Sequence, residues 1–168
     1  MDPRPPKNVP PYMLTRPRAP ELIRAWEDFW TRYVLELAEA ENLNMVSVVE
    51  LRRREPFNQM DEESFGELLK VLLRRGLARW EDTNRRLLRI YWCGPDYWIG
   101  RIIEALSSKS LTGLIEGPDG LIELVPELAS LPVRELEGLL ELMVEKGLAV
   151  WLDKRKKLLR VRRGLTAP

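Results

Sequence analysis

Seven cations fall in the ten residues from Lys154 to Arg163: Lys154, Arg155, Lys156, Lys157, Arg160, Arg162 and Arg163, with no acid among them. Lysine and arginine at that density suit phosphate or carboxylate recognition, since each contact neutralises one anionic oxygen. Four readings stay open for the segment: a solvated turn with an exposed strand face, or contact with an acidic protein, an anionic lipid headgroup or nucleic acid. Catalytic chemistry has far less material. Histidine is absent from the 168 residues, which removes the usual general base and the usual metal ligand. Cys93 is the single cysteine, so no disulfide within the chain and no cysteine-rich zinc cage can form, and a reducing compartment is expected. Asp82 and Asp153 have no partner group at a catalytic spacing and read as turn residues. No glycine-rich phosphate loop and no metal-ligand spacing occurs, so neither cofactor nor metal is expected, and an enzyme is not.

The elements that position these residues come from a repeat. Phe65 to Trp92 aligns without a gap on Leu136 to Arg163: Gly76 falls on Gly147, Trp80 on Trp151, Asp82 on Asp153, and Leu87-Leu88-Arg89 on Leu158-Leu159-Arg160. The offset, 147 − 76 = 71 residues, exceeds the period of solenoid repeats and fits a duplicated small domain. Within each copy leucines at helical spacing run to a glycine, and short apolar runs then flank a polar turn: a helix followed by a hairpin. In the second copy this predicts a helix from about Val133 to Lys146 and strands at Leu148–Leu152 and Leu158–Arg162, joined by the turn Asp153–Lys157.

An amphipathic helix precedes each copy, one with the stripe Leu22, Trp26, Phe29, Trp30, Tyr33 and Leu37, the other with Trp98, Ile102, Ile103 and Leu106. Met45–Leu51 and Ser110–Ile115 each read as a short strand leading to a short helix, and Gly117–Gly120 (GPDG) reads only as a turn. The order is that of a winged helix, a helix-turn-helix core with a hairpin appended. The expected class is α+β, mainly helical: two tandem winged-helix domains, 21–93 and 94–168, behind an extended proline-rich arm, 1–20. Trp80 and Trp151 are expected in the core or on a strand face.

Charge separates two uses of such modules. A DNA reader needs cations on its third helix, because phosphate contacts supply most of the affinity. Here that helix carries Asp61, Glu62, Glu63 and Glu67 in the first copy and Glu135, Glu137, Glu141 and Glu145 in the second. Net charge is only +1, so no global field attracts nucleic acid or membrane. No apolar run approaches the ~20 residues of a membrane span, and the N-terminus has no secretory apolar core, so a cytoplasmic location is expected.

The arm is the remaining feature. Prolines 3, 5, 6, 10, 11, 17 and 20 surround Tyr12-Met13-Leu14. Proline fixes φ and lacks a donor, so an extended polyproline II segment is predicted, stiff enough to suit capture in a groove. Its alternatives are a disordered tail or a docking segment made of Pro10, Pro11, Tyr12, Met13 and Leu14. Deleting residues 1–17 is expected to abolish co-purification with the docking partner while leaving thermal stability nearly unchanged. An arm folded back on its own domain counts against docking.

PPYMLTRP (Pro10 to Pro17), Ala25-Trp26, RWEDTNRRLLRIYW (Arg79 to Trp92) and the P-x-x-W of Pro95 to Trp98 occur in one order over nearly the whole chain. In these respects it resembles the vacuolar protein sorting-associated protein 25 family of ESCRT-II subunits. Two positions depart from the family pattern: Met13 stands where an aromatic is usual, and Cys93-Gly94 where basic residues are. A histidine-free, arginine-rich composition suits a divergent, heat-adapted archaeal member. The resemblance implies a non-catalytic adaptor in a Y-shaped complex containing two copies of the subunit. Pro10, Pro11, Tyr12 and Met13, with the first winged helix, would dock on a larger ESCRT-II winged-helix subunit. The second winged helix would recruit the N-terminal helix of an ESCRT-III subunit, in membrane remodelling and protein sorting. Membrane contact would be indirect, through the complex, and no specific nucleic acid is expected. The competing class is a winged-helix DNA-binding regulator using the wing Lys154, Arg155, Lys156 and Lys157.

Overall fold

A computed structural model of the chain describes residues 4–109 and 112–162. The chain divides between Trp92 and Cys93 into two compact units, and the arm belongs to the first.

Unit one runs α1 (Pro20–Glu41), β1 (Met45–Ser47), α2 (Val48–Arg53), α3 (Glu62–Arg74), β2 (Ala78–Trp80) and β3 (Leu87–Ile90). Its antiparallel sheet has the order β1-β3-β2. Helix α3 begins where the Asp61 side chain accepts the Ser64 N–H and ends before Gly76 at φ +71°, a left-handed conformation that glycine adopts without steric cost. The core is aromatic. Trp30 packs on Phe29, Tyr33 and Phe57, and Phe57 on Phe65, with centroids 5.2 to 6.2 Å apart. Glu27, buried on α1, accepts from Arg74 (2.7 Å) and Arg75 (3.3 Å) and so ties α1 to α3.

Unit two repeats the plan with α4 (Pro95–Ser108), β4 (Leu114–Glu116), α5 (Gly117–Leu124), α6 (Val133–Glu145), β5 (Ala149–Asp153) and β6 (Leu158–Val161). Its sheet order, β4-β6-β5, is that of unit one. The core is mostly aliphatic: Ile99, Ile102, Leu121, Leu128, Leu140, Met143 and Leu159 around Trp98. These are two tandem winged helices.

Three local expectations change. GPDG does not merely turn the chain: Gly117, at φ +63°, opens α5, and Pro118 occupies the first turn, where no N–H partner is needed. Leu22 is exposed, so the α1 stripe starts at Trp26. The arm is not uniformly extended, since Pro11–Met13 forms a 3₁₀ turn in which the Met13 N–H donates to the Pro10 carbonyl (2.8 Å) and the Leu14 N–H to the Pro11 carbonyl (3.2 Å). Proline φ suits the first residue of a helical turn as well as polyproline II, and here tertiary contacts select the turn.

Candidate protein-docking site

Trp26, Trp30 and Tyr33 stand at i, i+4 and i+7 on α1, so their side chains rise along one face. Both indole Nε1–H groups donate to a single acceptor, the Met13 carbonyl, each at 2.8 Å. One turn on, the Tyr33 hydroxyl donates to the Pro6 carbonyl at 2.8 Å. Burial raises the Tyr33 pKa above its ordinary 10.0, against a smaller lowering by Arg54, so the phenol stays a donor at neutral pH. On α3, the Ser64 hydroxyl accepts the Arg16 N–H at 2.8 Å. Proline-rich backbone has few donors but every carbonyl, and the aromatic rim of α1 supplies what those carbonyls need.

This clamp divides the five arm residues selected from the sequence. Met13 and Leu14 turn inward and pack, with Val9, against the core of unit one. Pro10, Pro11 and Tyr12 face outward, and Tyr12 is 78% exposed. Half the segment therefore anchors the arm to its own domain, which corrects the picture of a free leash, counts against docking through Met13 and Leu14, and removes the basis for expecting stability to survive loss of residues 1–17. The other half is an exposed apolar knuckle on a 3₁₀ turn. The α1 aromatics read from sequence as core alone; the signal missed was that a buried indole N–H or phenol O–H requires an acceptor.

Between α2 and α3 lies an open groove of about 420 Å³ lined by Val48, Val49, Phe65, Gly66 and Leu69, with Arg52, Arg53 and Glu62 around them. Arg52 is occupied structurally, bonding the Phe57 and Met60 carbonyls and lying over the Phe65 ring at 5.3 Å.

The wing of unit two is arranged differently. Asp153 Oδ1 accepts the Arg155 and Lys156 N–H groups at 3.1 and 3.2 Å, shaping the turn. Asp82 does the same in unit one for Arg86 and Leu87, and those backbone donors hold its carboxyl below the usual range. Both aspartates are turn residues. Lys154, Arg155 and Lys156 are exposed, whereas Lys157 pairs with Glu137 of α6. Arg163 lies outside the described residues. Trp80 and Trp151 are half-buried on their strands. Among the described residues no group of three or more His, Cys, Asp or Glu side chains could hold a metal ion, and no helix is long and apolar enough to cross a membrane.

No protein-family model matches the sequence. Vacuolar protein-sorting-associated protein 25 of Xenopus laevis is 26% identical over 124 residues, 70% of this chain and 69% of that protein. The crystal structure of subunit VPS25 of the endosomal trafficking complex ESCRT-II superposes with a TM-score of 0.66 at 19% identity, covering 96% of this chain and all of that one. In sequence and in fold, the chain is similar to VPS25. A chain in the structure of the ESCRT-II endosomal trafficking complex matches with a TM-score of 0.57 at 16% identity, over 90% of this chain. A further match, at 0.56 and 17%, is to the endosomal complex of VPS22, VPS25 and VPS36. The VPS25 likeness spans both winged helices.

Proposed function

We propose that the chain is a non-catalytic adaptor subunit of an ESCRT-II-type assembly, working in the cytoplasm and reaching membranes through its complex. The knuckle Pro10-Pro11-Tyr12 docks on a larger winged-helix subunit, and the second winged helix receives an ESCRT-III helix. One observation carries this reading: two indoles and a phenol fix the arm backbone, yet Tyr12 is left 78% exposed. A large aromatic carried outward on an anchored backbone spares the backbone part of the ordering entropy on binding and fits the profile of an interface anchor. The likeness to VPS25, and the occurrence of VPS25 with VPS22 and VPS36 in a solved ESCRT-II complex, support the partner class. The α2–α3 groove offers a second contact, which a single aromatic anchor requires for a stable complex.

The test is co-purification with a VPS22- or VPS36-like subunit from the same genome, comparing the native chain with Tyr12→Ala. Affinity should fall roughly 30-fold or more, the loss of one ~2 kcal/mol anchor, at an unchanged melting temperature. Undiminished capture by the variant would remove the knuckle from the interface. The regulator reading, favoured only by the basic wing, predicts tight duplex-DNA binding with a steep salt slope. The acidic polar side of α6, whose Glu137 already engages Lys157, opposes it.

A further inference from the structure

The outer faces of the two sheets differ in composition. Residues 71 apart align in sequence: Arg79 with Val150, Glu81 with Leu152 and Tyr91 with Arg162, while Arg89 and Arg160 keep their type, and at Leu152 the second sheet carries a register shift between Trp151 and Asp153. Each arginine stands mid-row in its sheet, Arg89 between Met45 and Arg79, Arg160 between Leu114 and Val150. Arg89 is only 3% exposed, with its guanidinium over the Tyr91 ring at 4.4 Å. Arg160 is exposed, and the apolar side chains around it are uncovered: Leu114 at 43%, Val150 at 41% and Leu152 at 46%. The turn differs likewise, Thr83-Asn84-Arg85-Arg86 corresponding to Lys154-Arg155-Lys156-Lys157.

We infer that the outer face of the second sheet, with its wing, is a direct contact for an anionic membrane surface. Five cations, Lys154, Arg155, Lys156, Arg160 and Arg162, lie at or beside this face, and none is in an ion pair among the described residues. They are spread from the turn to the far end of β6, roughly 15 Å at strand rise, which suits a plane of headgroups better than one peptide. Val150 and Leu152, set between snorkelling cations, can enter the headgroup boundary. At the β4 edge the face changes character, because Leu114 lines an open pocket of about 600 Å³ with Glu116, Asp119 and Glu123, so the contact is confined to β5, β6 and the turn. Across the core, the exposed Glu141 and Glu145 of α6 leave the opposite side acidic, so an anionic surface would orient the unit. Docking by Tyr12 plays no part in this contact.

The experiment is co-sedimentation of the full chain with vesicles of phosphatidylcholine alone or mixed with phosphatidylserine. The chain should partition only onto the anionic vesicles, at lipid concentrations on the order of a millimolar, and salt should release it. The triple change Lys154→Ala, Arg155→Ala, Lys156→Ala should lower partition about a hundredfold, from ~1 kcal/mol for each cation near the surface. Leu152→Asp should weaken it as well, while Arg85→Ala with Arg86→Ala, the matched turn of unit one, should leave it unchanged. Absence of partition, equal partition onto neutral vesicles, or equal loss from the unit-one changes would overturn the proposal. So would duplex DNA bound more tightly than the vesicles through the same three cations.

Discussion

The two winged helices share a sheet order and an aligned repeat, yet they use their surfaces differently. Unit one carries an aromatic core whose rim donates hydrogen bonds to the arm, and its strand arginine, Arg89, is buried. Unit two has an aliphatic core, no arm, and the matching arginine in solvent beside exposed leucines and valine. A duplicated scaffold keeps its inner pattern because packing requires it, whereas the outer positions and rims are left to acquire separate roles.

The sharpest break of this contrast is Trp30→Ala. It removes a fully buried ring that also donates to Met13, and should destabilise unit one by about 3–5 kcal/mol in denaturant unfolding. Trp30→Phe should cost less while still loosening the arm. Deleting residues 1–17 is expected to cost about 2–4 kcal/mol, from the partial burial of Met13 and Leu14 and the acceptors lost to two indoles and a phenol. A deletion that leaves unfolding unchanged would mean that the arm is a passenger. Next, Arg89→Ala should cost about 1–3 kcal/mol, for a buried guanidinium stacked on Tyr91, whereas Arg160→Ala should stay within about 0.5 kcal/mol. Equal effects would erase the distinction between the two faces.

Titration gives a smaller, directional test. Tyr33 has a raised pKa, so the stability it contributes is fully present below the ordinary phenol value of 10.0 and is lost as pH climbs through the raised one. Arm release, followed by Trp fluorescence, should therefore appear on the alkaline side. Asp61 and Glu127 have lowered pKa values, Asp61 chiefly through Ser64 and Glu127 through its own backbone N–H and then Arg101. Their contribution is present above the ordinary carboxylate range and disappears as pH falls through the lowered values, so acid should loosen the start of α3 and the α4–Glu127 link. The smallest change in stability, within about 0.5 kcal/mol, is expected for Tyr12→Ala, because its ring is solvated in the free chain.

Most of the fold was legible because leucine periodicity, Gly76 and Gly147 at helix ends, and Asp82 and Asp153 in turns are local signals. The divided arm was not legible. Pro10-Pro11-Tyr12-Met13 has one sequence for a free extended strand and for an anchored turn, and the choice depends on indole donors a dozen or more residues away. The opening of α5 at GPDG was lost for a similar reason: Gly-Pro marks both a turn and a helix start, and the apolar Leu121 and Leu124, buried one and two turns later, decide for the helix. At the wing, composition gave the cations, but the pairing of Lys157 with Glu137 needed the packing of α6 beside the turn.

The most direct measurement is proton exchange at the Trp26 and Trp30 indoles by NMR, with and without the larger partner subunit. Both Nε1–H signals should be protected in the free chain and stay protected in the complex, while the Tyr12 ring resonances shift on binding. Freely exchanging indoles together with an unperturbed Tyr12 would contradict a clamped arm that presents its knuckle.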